Sequence, residues 1–318
     1  MTDGRVLVTG GAGFIGSHVC EALLRAGYAV RVLDDFSSGS LSNLPPAGAS
    51  LEIEHGSVCE AIDVERAVRG CAVVVHLAAL TSVAASFLDE AHYIAVNLEG
   101  TKRVAAAAKQ CEARRMLFAS SAAVYGDRPG PHSETASFAP TSPYARTKCD
   151  AELVLRELSA TTSCDALAFR MFNVYGPRQA AAGSYSAAIP GFVARLRNKK
   201  SVQIFGDGTQ TRDFVHVSDV AAAFVSAISS AHRFGGAAIN LGTGLSTSIG
   251  VLAKTAARLA HCTTCVEFGP ARAGDVHESV AVIARAKELL GFEPRTSLEA
   301  GLRDLFARAE SPNSLSVQ

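Results

Sequence analysis

The sequence predicts an α/β protein: a doubly wound parallel sheet followed by a smaller second unit. In the first two thirds of the chain, short apolar runs of strand length alternate with longer helical stretches. Strands buried on both faces and joined by crossover helices give this alternation. After Asn173 the alternation stops, because Gly176-Pro177, the small-residue run 179–186 and Pro190 interrupt the pattern. The second unit is therefore expected to begin there.

The elements of the first unit follow one another at regular intervals. The predicted strands are 5–9, 28–34, 51–55, 72–76, 115–120 and 166–171. The predicted helices are 13–27, 60–69, 91–111 and 144–161. We expect the first unit to span 1–172, with 211–243 returning to it. We expect the second unit to comprise 173–210 and 244–310, and 311–318 to form a tail.

Composition excludes several functional classes. Hydrophobic residues make up 48% of the 318 residues and charged residues 19%, which is typical of globular proteins and not of disordered ones. Thirty basic residues balance thirty acidic ones, so neither nucleic acid nor a membrane surface is an expected partner. We find no signal peptide and no transmembrane span. The eight scattered cysteines indicate reduced core residues and a cytoplasmic location.

A lone Cys-x-x-Cys pair at Cys262 and Cys265 has no second pair beside it. Structural zinc sites need a full set of suitably spaced ligands. We therefore expect no metal in this protein.

The strongest local signal is the glycine-rich turn after the first strand. Gly10, Gly13 and Gly16 follow the strand and open the first helix, whose free N–H groups can bind phosphates. Asp34 ends the second strand, where a carboxylate accepts both ribose hydroxyls of NAD and repels a 2′-phosphate. The turn, the helix and the acidic residue together predict dinucleotide binding, with NAD as the cofactor.

A second group of residues points to acid–base chemistry. Tyr144 and Lys148 are four residues apart, so a helix places the phenol and the ammonium on one face. Ser121 follows an apolar strand, at the carboxyl edge where doubly wound sheets bind their ligands. A tyrosine with a pKa of about 10 is a poor base at neutral pH, and a nearby cation favours its ionised form.

These motifs give the chain a clear resemblance to the NAD-dependent sugar-nucleotide epimerase/dehydratase family of extended short-chain dehydrogenases/reductases, a Rossmann-type family. The resemblance extends from Val6 to about Ala309. The matching segments are Thr9–Gly16, His76–Ala79, Asn97–Thr101, Ser121 with Val124–Gly126, the Tyr144/Lys148 pair and Asn173–Arg178.

The resemblance implies roles for individual residues. Ser121, Tyr144 and Lys148 would form the catalytic set, with Tyr144 as general base and acid, Ser121 bonded to the sugar hydroxyl and Lys148 holding the nicotinamide ribose. The implied cofactor-binding residues are Gly10, Gly13, Phe14, Ile15, Gly16, Asp34, Ser57, Val58, Leu77, Ala78 and Ala79, together with Tyr144 and Lys148. Ser57 stands where the family commonly has an acidic residue near the adenine.

The later half resembles the family's nucleotide-sugar site. The implied substrate-binding residues are Ser121, Tyr144, Asn173, Gln203, Phe205, Arg212, Arg272, Asp275 and Ser279. Two guanidinium groups suit a pyrophosphate because each presents a planar fork of donors. A homodimer, paired through the helices 91–111 and 144–161, is expected from the resemblance.

The residues after Ser121 favour one reaction of the family. Dehydratases and decarboxylases carry acidic residues there, whereas this chain has Ala122 and Ala123. Dehydration needs an acid and a base that alanines cannot supply. The sequence therefore predicts epimerisation at carbon 4 of a nucleotide sugar through a 4-keto intermediate. A 4-keto reductase, a dehydratase and a UDP-uronic acid 4-epimerase remain alternatives.

Ser279 stands at the position where related 4-epimerases have the residue that borders the carbon-2 substituent of the sugar. Serine leaves more space than tyrosine, so the resemblance favours a UDP-N-acetylhexosamine beside a UDP-hexose.

Overall fold

The computed structural model describes residues 4–180, 188–262, 266–271 and 276–308. Its strands are β1 Arg5–Thr9, β2 Val30–Asp34, β3 Leu51–His55, β4 Cys71–His76, β5 Arg115–Ser121, β6 Pro131–His132, β7 Asp165–Met171, β8 Asn173–Tyr175, β9 Val202–Phe205, β10 Thr211–Arg212, β11 Phe214–His216, β12 Ala237–Leu241, β13 Thr247–Ser248, β14 Val266–Gly269 and β15 Glu278–Ala281.

The α-helices are α1 Phe14–Arg25, α2 Ala61–Val68, α3 Val83–Ser86, α4 Glu90–Tyr93, α5 Gly100–Gln110, α6 Pro143–Thr161, α7 Ala188–Arg197, α8 Val217–Ser229, α9 Ile249–Leu259, α10 Ala284–Leu290 and α11 Leu298–Ala307. Short 3₁₀ turns lie at Leu41–Asn43 and Ala122–Tyr125, and a π-helical segment spans Ile94–Glu99.

A seven-stranded parallel sheet forms the centre of the molecule, in the order β12-β7-β5-β4-β1-β2-β3. Helices cover both faces, and successive residues of β1 alternate between them. Val6 and Val8 join the core that contains residues of α1 and α8, while Leu7 joins the core that contains residues of α2, α5 and α6. The prediction of a doubly wound α/β fold is confirmed. The strand order reverses between β1 and β4, which places a crevice at the carboxyl ends of these strands.

A second set of strands packs beyond this sheet. One group has the order β13-β10-β15-β6, and the pairs β11-β8 and β14-β9 lie beside it. Its core includes Phe192, Val193, Leu252 and Leu302. Strand β6 comes from the first half of the chain but pairs with β15, and β12 comes from the later half but pairs with β7. The chain therefore passes between the two sheets more than once.

The predicted helix over 91–111 is present, because helical residues continue without a break from Glu90 to Gln110. The structure divides this region into α4, the π-helical segment and α5. The Thr101 hydroxyl donates to the Asn97 carbonyl at 2.5 Å, inside the wider turn. An apolar pattern does not distinguish a π turn from an α turn, because the backbone shift is only one residue. The other predicted boundaries differ from the observed ones by at most two residues.

Within the described ranges, no helix is both long enough and apolar enough to cross a membrane. The same ranges contain no cluster of three or more His, Cys, Asp or Glu side chains that could hold a metal ion. The Cys-x-x-Cys pair includes Cys265, which lies outside the described residues.

Gly16 is required by close backbone contact, and we expect Gly16→Ala to destabilise the protein. A Cβ at Gly16 would lie 2.1 Å from the Gly10 carbonyl oxygen and 2.8 Å from the Gly11 Cα, so the turn must shift. The expected loss in free energy of unfolding is about 1–3 kcal/mol or more, measured by chemical denaturation. Gly48→Ala is the control, because a Cβ there meets nothing within 4 Å. Equal stability of the two variants would contradict the prediction.

Candidate active site

The predicted cofactor residues lie along one edge of the sheet. The glycine turn follows β1, Asp34 ends β2, and Leu77, Ala78 and Ala79 follow β4. Because these strands are parallel, their carboxyl ends share this edge. The Thr9 hydroxyl accepts from the Leu77 and Ala78 N–H groups at 3.3 Å each, which joins the loop after β4 to β1.

The glycine turn brings backbone segments close together at the start of α1. Gly10 has φ +67°, and a Cβ there would lie 2.7 Å from the Ala78 backbone nitrogen. Gly13 is the N-cap of α1, and among the described residues no side chain caps this end. Phe14 and Ile15 begin the helix and are half-buried. The free N–H groups of the first turn and the positive end of the helix dipole suit a pyrophosphate.

Asp34 lies at the far end of the glycine turn with its carboxylate fixed by the backbone. Its oxygens accept from the N–H groups of Ala12 and Phe36, each at 2.9 Å. Burial raises the pKa of Asp34, and these two N–H donors oppose that rise. Each oxygen keeps a second lone pair, so the carboxylate can also accept a ribose hydroxyl. These residues therefore fit a dinucleotide cofactor.

Ser57 and Val58 follow β3, further along the same edge. The Ser57 hydroxyl accepts from the Cys59 N–H at 3.2 Å, and the Ser57 N–H donates to Asp63 at 3.1 Å. Val58 is buried in the core that includes residues of α2 and α5. The turn therefore has a defined shape although it lacks an acidic residue.

The structure brings Ser121, Tyr144 and Lys148 together. Ser121 is the last residue of β5, and α6 carries the other two on one face. The Ser142 side chain caps α6 by accepting from Ala145, which fixes where the helix begins. Burial raises the pKa of the Tyr144 phenol, and the Ser121 hydroxyl lowers that pKa by less. Tyr144 is only 8% exposed.

Lys148 is a buried cation next to this phenol. Its Nζ donates to the Ala119 carbonyl at 2.8 Å and lies 4.7 Å from the Phe118 ring centroid and 5.9 Å from that of Tyr144. Burial lowers the pKa of Lys148 from 10.5 to about 7, while the negative charge of Glu152 opposes the shift. Lys148 therefore titrates near neutral pH instead of near pH 10.5. Such perturbed groups cluster at catalytic sites.

Asn97 is a further residue at this edge, and it has no role in the prediction. It lies in the π-helical segment, where its side chain accepts from the Leu80 N–H at 2.8 Å and donates to the Leu80 carbonyl at 2.9 Å. It also donates to the Thr147 hydroxyl at 3.3 Å. Asn97 thus joins the loop after β4 to the helix that carries Tyr144 and Lys148. The Asn97–Thr101 motif marks this position in the sequence.

His76 ends β4 and contributes to the structure of this edge. Its ring nitrogens bond to the hydroxyls of Thr9, at 2.7 Å, and Thr101, at 3.0 Å. Burial lowers its pKa to about 3, so the imidazole is neutral at physiological pH. His76 therefore connects β4 with β1 and α5 by hydrogen bonds while it stays uncharged.

Several of the predicted substrate-binding residues lie on the second set of strands. Asn173 begins β8 and is exposed, while its N–H donates to the Asp213 carbonyl at 3.0 Å. Arg212 and Ser279 are paired neighbours on β10 and β15. The Arg212 guanidinium donates to the Val276 carbonyl at 2.6 Å. These contacts align the Asn173, Arg212 and Ser279 backbones around one buried residue, Asp213.

Gln203 and Phe205 lie on β9, which pairs with β14. A Cβ at Gly269, on β14, would lie 3.3 Å from the Gln203 amide nitrogen and 3.7 Å from the Phe205 ring. Gly269 thus lies directly against these two side chains, and a side chain at this position would contact both of them. Arg272 and Asp275 lie outside the described residues.

Comparison with known proteins identifies the family. The model described as NAD dependent epimerase/dehydratase family matches residues 6–242. The chain belongs to this family. It is 38% identical over 306 residues to a UDP-glucose 4-epimerase of Mycolicibacterium smegmatis, covering 94% of this chain and 96% of the relative.

Solved structures agree over almost the whole chain. A UDP-N-acetylglucosamine 4-epimerase from Methanobrevibacter ruminantium, in complex with UDP-N-acetylmuramic acid, superposes with a TM-score of 0.92 at 34% identity, covering 98% of this chain and 100% of that one. A Thermus thermophilus UDP-glucose 4-epimerase in complex with NAD gives 0.87 at 32% identity, covering 96% and 99%. The predictions of the family and of NAD as its cofactor are confirmed.

From the burial of Lys148 we predict how the free energy of unfolding depends on pH. Between about pH 7 and the ordinary pKa of 10.5, the unfolded chain binds more protons at Lys148 than the folded chain does. Below pH 7 the lysine is charged in both states, so the buried charge destabilises the folded chain to its full extent. As the pH rises above 7, the folded chain loses this charge and the destabilisation decreases. For the cofactor-free protein we expect the free energy of unfolding to rise by up to about 1.4 kcal/mol per pH unit from about pH 7 to 8.5.

Lys148→Met removes the titrating group with little change in shape, so its unfolding free energy is the reference at each pH. Above about pH 8.5 the buried thiols would act in the opposite sense, because burial raises the pKa of cysteines such as Cys149 above the ordinary value of 9.0. Parallel pH profiles for wild type and variant would contradict the prediction.

Proposed function

We propose that the protein is an NAD-dependent 4-epimerase of a nucleotide sugar, with a UDP-hexose or a UDP-N-acetylhexosamine as substrate. The observation that carries this proposal is the placement of Ser121, Tyr144 and Lys148 at the carboxyl edge of the sheet, the edge that also carries the glycine turn. The relatives that match the chain over nearly its full length include several UDP-sugar 4-epimerases, and also a UDP-N-acetyl-α-D-glucosaminuronate decarboxylase.

The catalytic residues divide the proton chemistry among them. NAD⁺, when bound, supplies the oxidant that takes up and returns a hydride at carbon 4. Tyr144 removes the proton from the carbon-4 hydroxyl and later returns it, while Ser121 orients that oxygen. The positive charge of Lys148 favours the phenolate, and its position on the next turn of α6 suits a bond to the nicotinamide ribose.

The substrate residues hold the nucleotide and leave the sugar free to turn. Arg212 and Arg272 bind the diphosphate with Asn173, while Gln203 and Phe205 hold the base and Asp275 binds a ribose or an arginine. With the nucleotide fixed, the 4-keto sugar can swing about its link to the diphosphate and present its other face. Epimerisation requires this freedom, because hydride leaves one face and returns to the other.

Ala122 and Ala123 favour epimerisation over dehydration. They form the 3₁₀ turn directly after Ser121, whose hydroxyl accepts from the Ala123 N–H at 3.1 Å. Their methyl groups can neither protonate a leaving hydroxyl nor remove a proton from carbon. Tyr144 is then the acid–base group of the sugar site, and one such group is sufficient for epimerisation.

The decisive experiment incubates the purified protein with a panel of UDP-hexoses, UDP-N-acetylhexosamines and UDP-uronic acids, without added cofactor. We expect the carbon-4 epimer to form, detected by NMR, because a cofactor regenerated in each cycle can stay bound. Tyr144→Phe should lower kcat by about 10²–10⁴-fold while retaining NAD, since it removes the acid–base group. Consumption of added NADH in proportion to product would instead show a reductase.

Ser279 is the residue whose size we propose selects the sugar. Ser279→Tyr should lower kcat/KM for the N-acetylated substrate by at least tenfold, or about 1.4 kcal/mol, because the phenol fills the space beside carbon 2. UDP-glucose in the same variant is the internal control and should keep most of its activity. Equal loss on both sugars, or no loss on the acetylated one, would contradict the assignment.

We also propose that the cofactor unit comprises 1–172 and 211–243 and that 173–210 and 244–310 bind the substrate. The tail predicted at 311–318 lies outside the described residues. The pairing of β12 with β7 supports the return of the later segment. A cytoplasmic location is consistent with the free thiols of the six cysteines between Cys20 and Cys164. A role in polysaccharide biosynthesis would follow from a nucleotide-sugar product.

We propose a homodimer, as expected for this family. Leu153 on α6 and Ile94 on the adjoining π-helical segment are 49% and 39% exposed. A second copy of the chain would cover these apolar side chains and extend the packing of α6.

A further inference from the structure

A chain of buried polar side chains lies behind the candidate active site. Glu152 and Arg170 form an ion pair at 2.8 Å, and each side chain is 1% exposed. The Ser120 hydroxyl donates to Glu152 at 2.6 Å. Arg170 also donates to the Tyr125 phenol oxygen at 3.1 Å, and that phenol donates to the Asn240 side-chain oxygen at 2.6 Å. We name these five residues the rear network.

The rear network touches the elements that carry the catalytic residues. Ser120 precedes Ser121 on β5, and Glu152 lies on α6 one turn after Lys148 and two turns after Tyr144. Together with the bond from Lys148 to Ala119, the bond from Ser120 fixes how α6 sits along β5. These two hydrogen bonds therefore fix the position of the Tyr144 phenol relative to Ser121.

The other end of the rear network reaches the wall of the sugar site. The Asn240 amide donates to the carbonyls of His132, at 2.9 Å, and Val282, at 3.1 Å. His132 ends β6 and Val282 directly follows β15, the strand that carries Ser279. The Asn240 N–H donates to Glu134 at 2.9 Å, which adds a third anchor. The Tyr125 hydroxyl connects the two ends of the rear network, because it accepts from Arg170 and donates to Asn240.

Stability alone does not account for a buried ion pair of this kind. Removing two charges from water costs several kcal/mol for each ion, and well-packed apolar residues of similar volume are often equally stable. Directional bonds give something that apolar packing does not, namely a fixed distance and orientation between elements. In the rear network those elements are the ones on either side of the proposed sugar site.

We propose that Tyr125 is a positioning residue that holds β15 at a fixed distance from Tyr144 and Ser121, and so governs how completely the ketone is reduced again. This inference rests on the proposed function. The 4-keto sugar has to turn within a gap bounded by β15 on one side and by Tyr144 on the other. A wider gap lets the ketone adopt poses in which carbon 4 lies out of reach of the returning hydride.

Tyr125→Phe tests the proposal, because it removes only the hydroxyl. The ring can keep its parallel stacking on His132, now at 4.7 Å between centroids. We expect the share of turnovers that end in released 4-keto sugar and enzyme-bound reduced cofactor to rise at least fivefold. The absorbance of reduced NAD and NMR of the released sugar measure this share. The preference for acetylated over plain UDP-hexose should shift at least threefold, while NAD content per chain stays unchanged.

Tyr28→Phe is the matched control, because Tyr28 is also a buried tyrosine but belongs to a different hydrophobic core from Tyr125. It lies before β2, at the amino ends of the strands, away from the carboxyl edge that carries the site. If Tyr125→Phe does not fold, Ser120→Ala is the second test, because it removes a single hydroxyl from the same network. It should also raise the share of turnovers that end in released 4-keto sugar. A variant that loses thermal stability but keeps the wild-type partition and sugar preference would overturn the inference. Wild type that forms no epimer would overturn the proposed function and this inference together.

Discussion

The arrangement of the site depends on a lysine ammonium held in the interior of the protein. Lys148 is surrounded by the Phe118 ring, the Ala119 carbonyl and the Tyr144 ring, and its burial lowers its pKa to about 7. Burying this charge destabilises the folded chain, and the nearby carboxylate of Glu152 offsets part of that effect. A positive charge close to a phenol favours the ionised form of that phenol.

Much of the fold and of the cofactor edge could be predicted from the sequence, because both depend on local patterns. Strand and helix lengths, the glycine spacing and Asp34 each report the conformation of their own neighbourhood. Parallel pairing then brings strand ends together without further information. The pairing of Tyr144 with Lys148 follows from helical periodicity, and Ser121 from its place at the end of a strand. The structure therefore places these residues at one edge, while their roles remain proposals.

The features that the sequence did not reveal depend on contacts between distant segments. The π-helical turn at Asn97 needs the loop at Leu80 and the helix at Thr147, which are separated from it by 17 and 50 residues. Arg170 and Glu152 each resemble ordinary charged residues in the sequence, and only the packing of α6 on β7 shows that both are buried. Hydrogen bonds of this kind leave no periodic trace, so motif reading missed them.

The exchange of β6 and β12 between the two sheets has an evolutionary consequence. β6, from the first half, completes the smaller sheet, and β12, from the second half, completes the larger one. Neither half of the polypeptide contains all the strands of its own sheet, so a single cut in the gene yields two incomplete fragments. Recombination that swaps substrate preferences among relatives would need several coordinated crossovers. New specificities are reached more simply by point replacements along the strands that border the cleft.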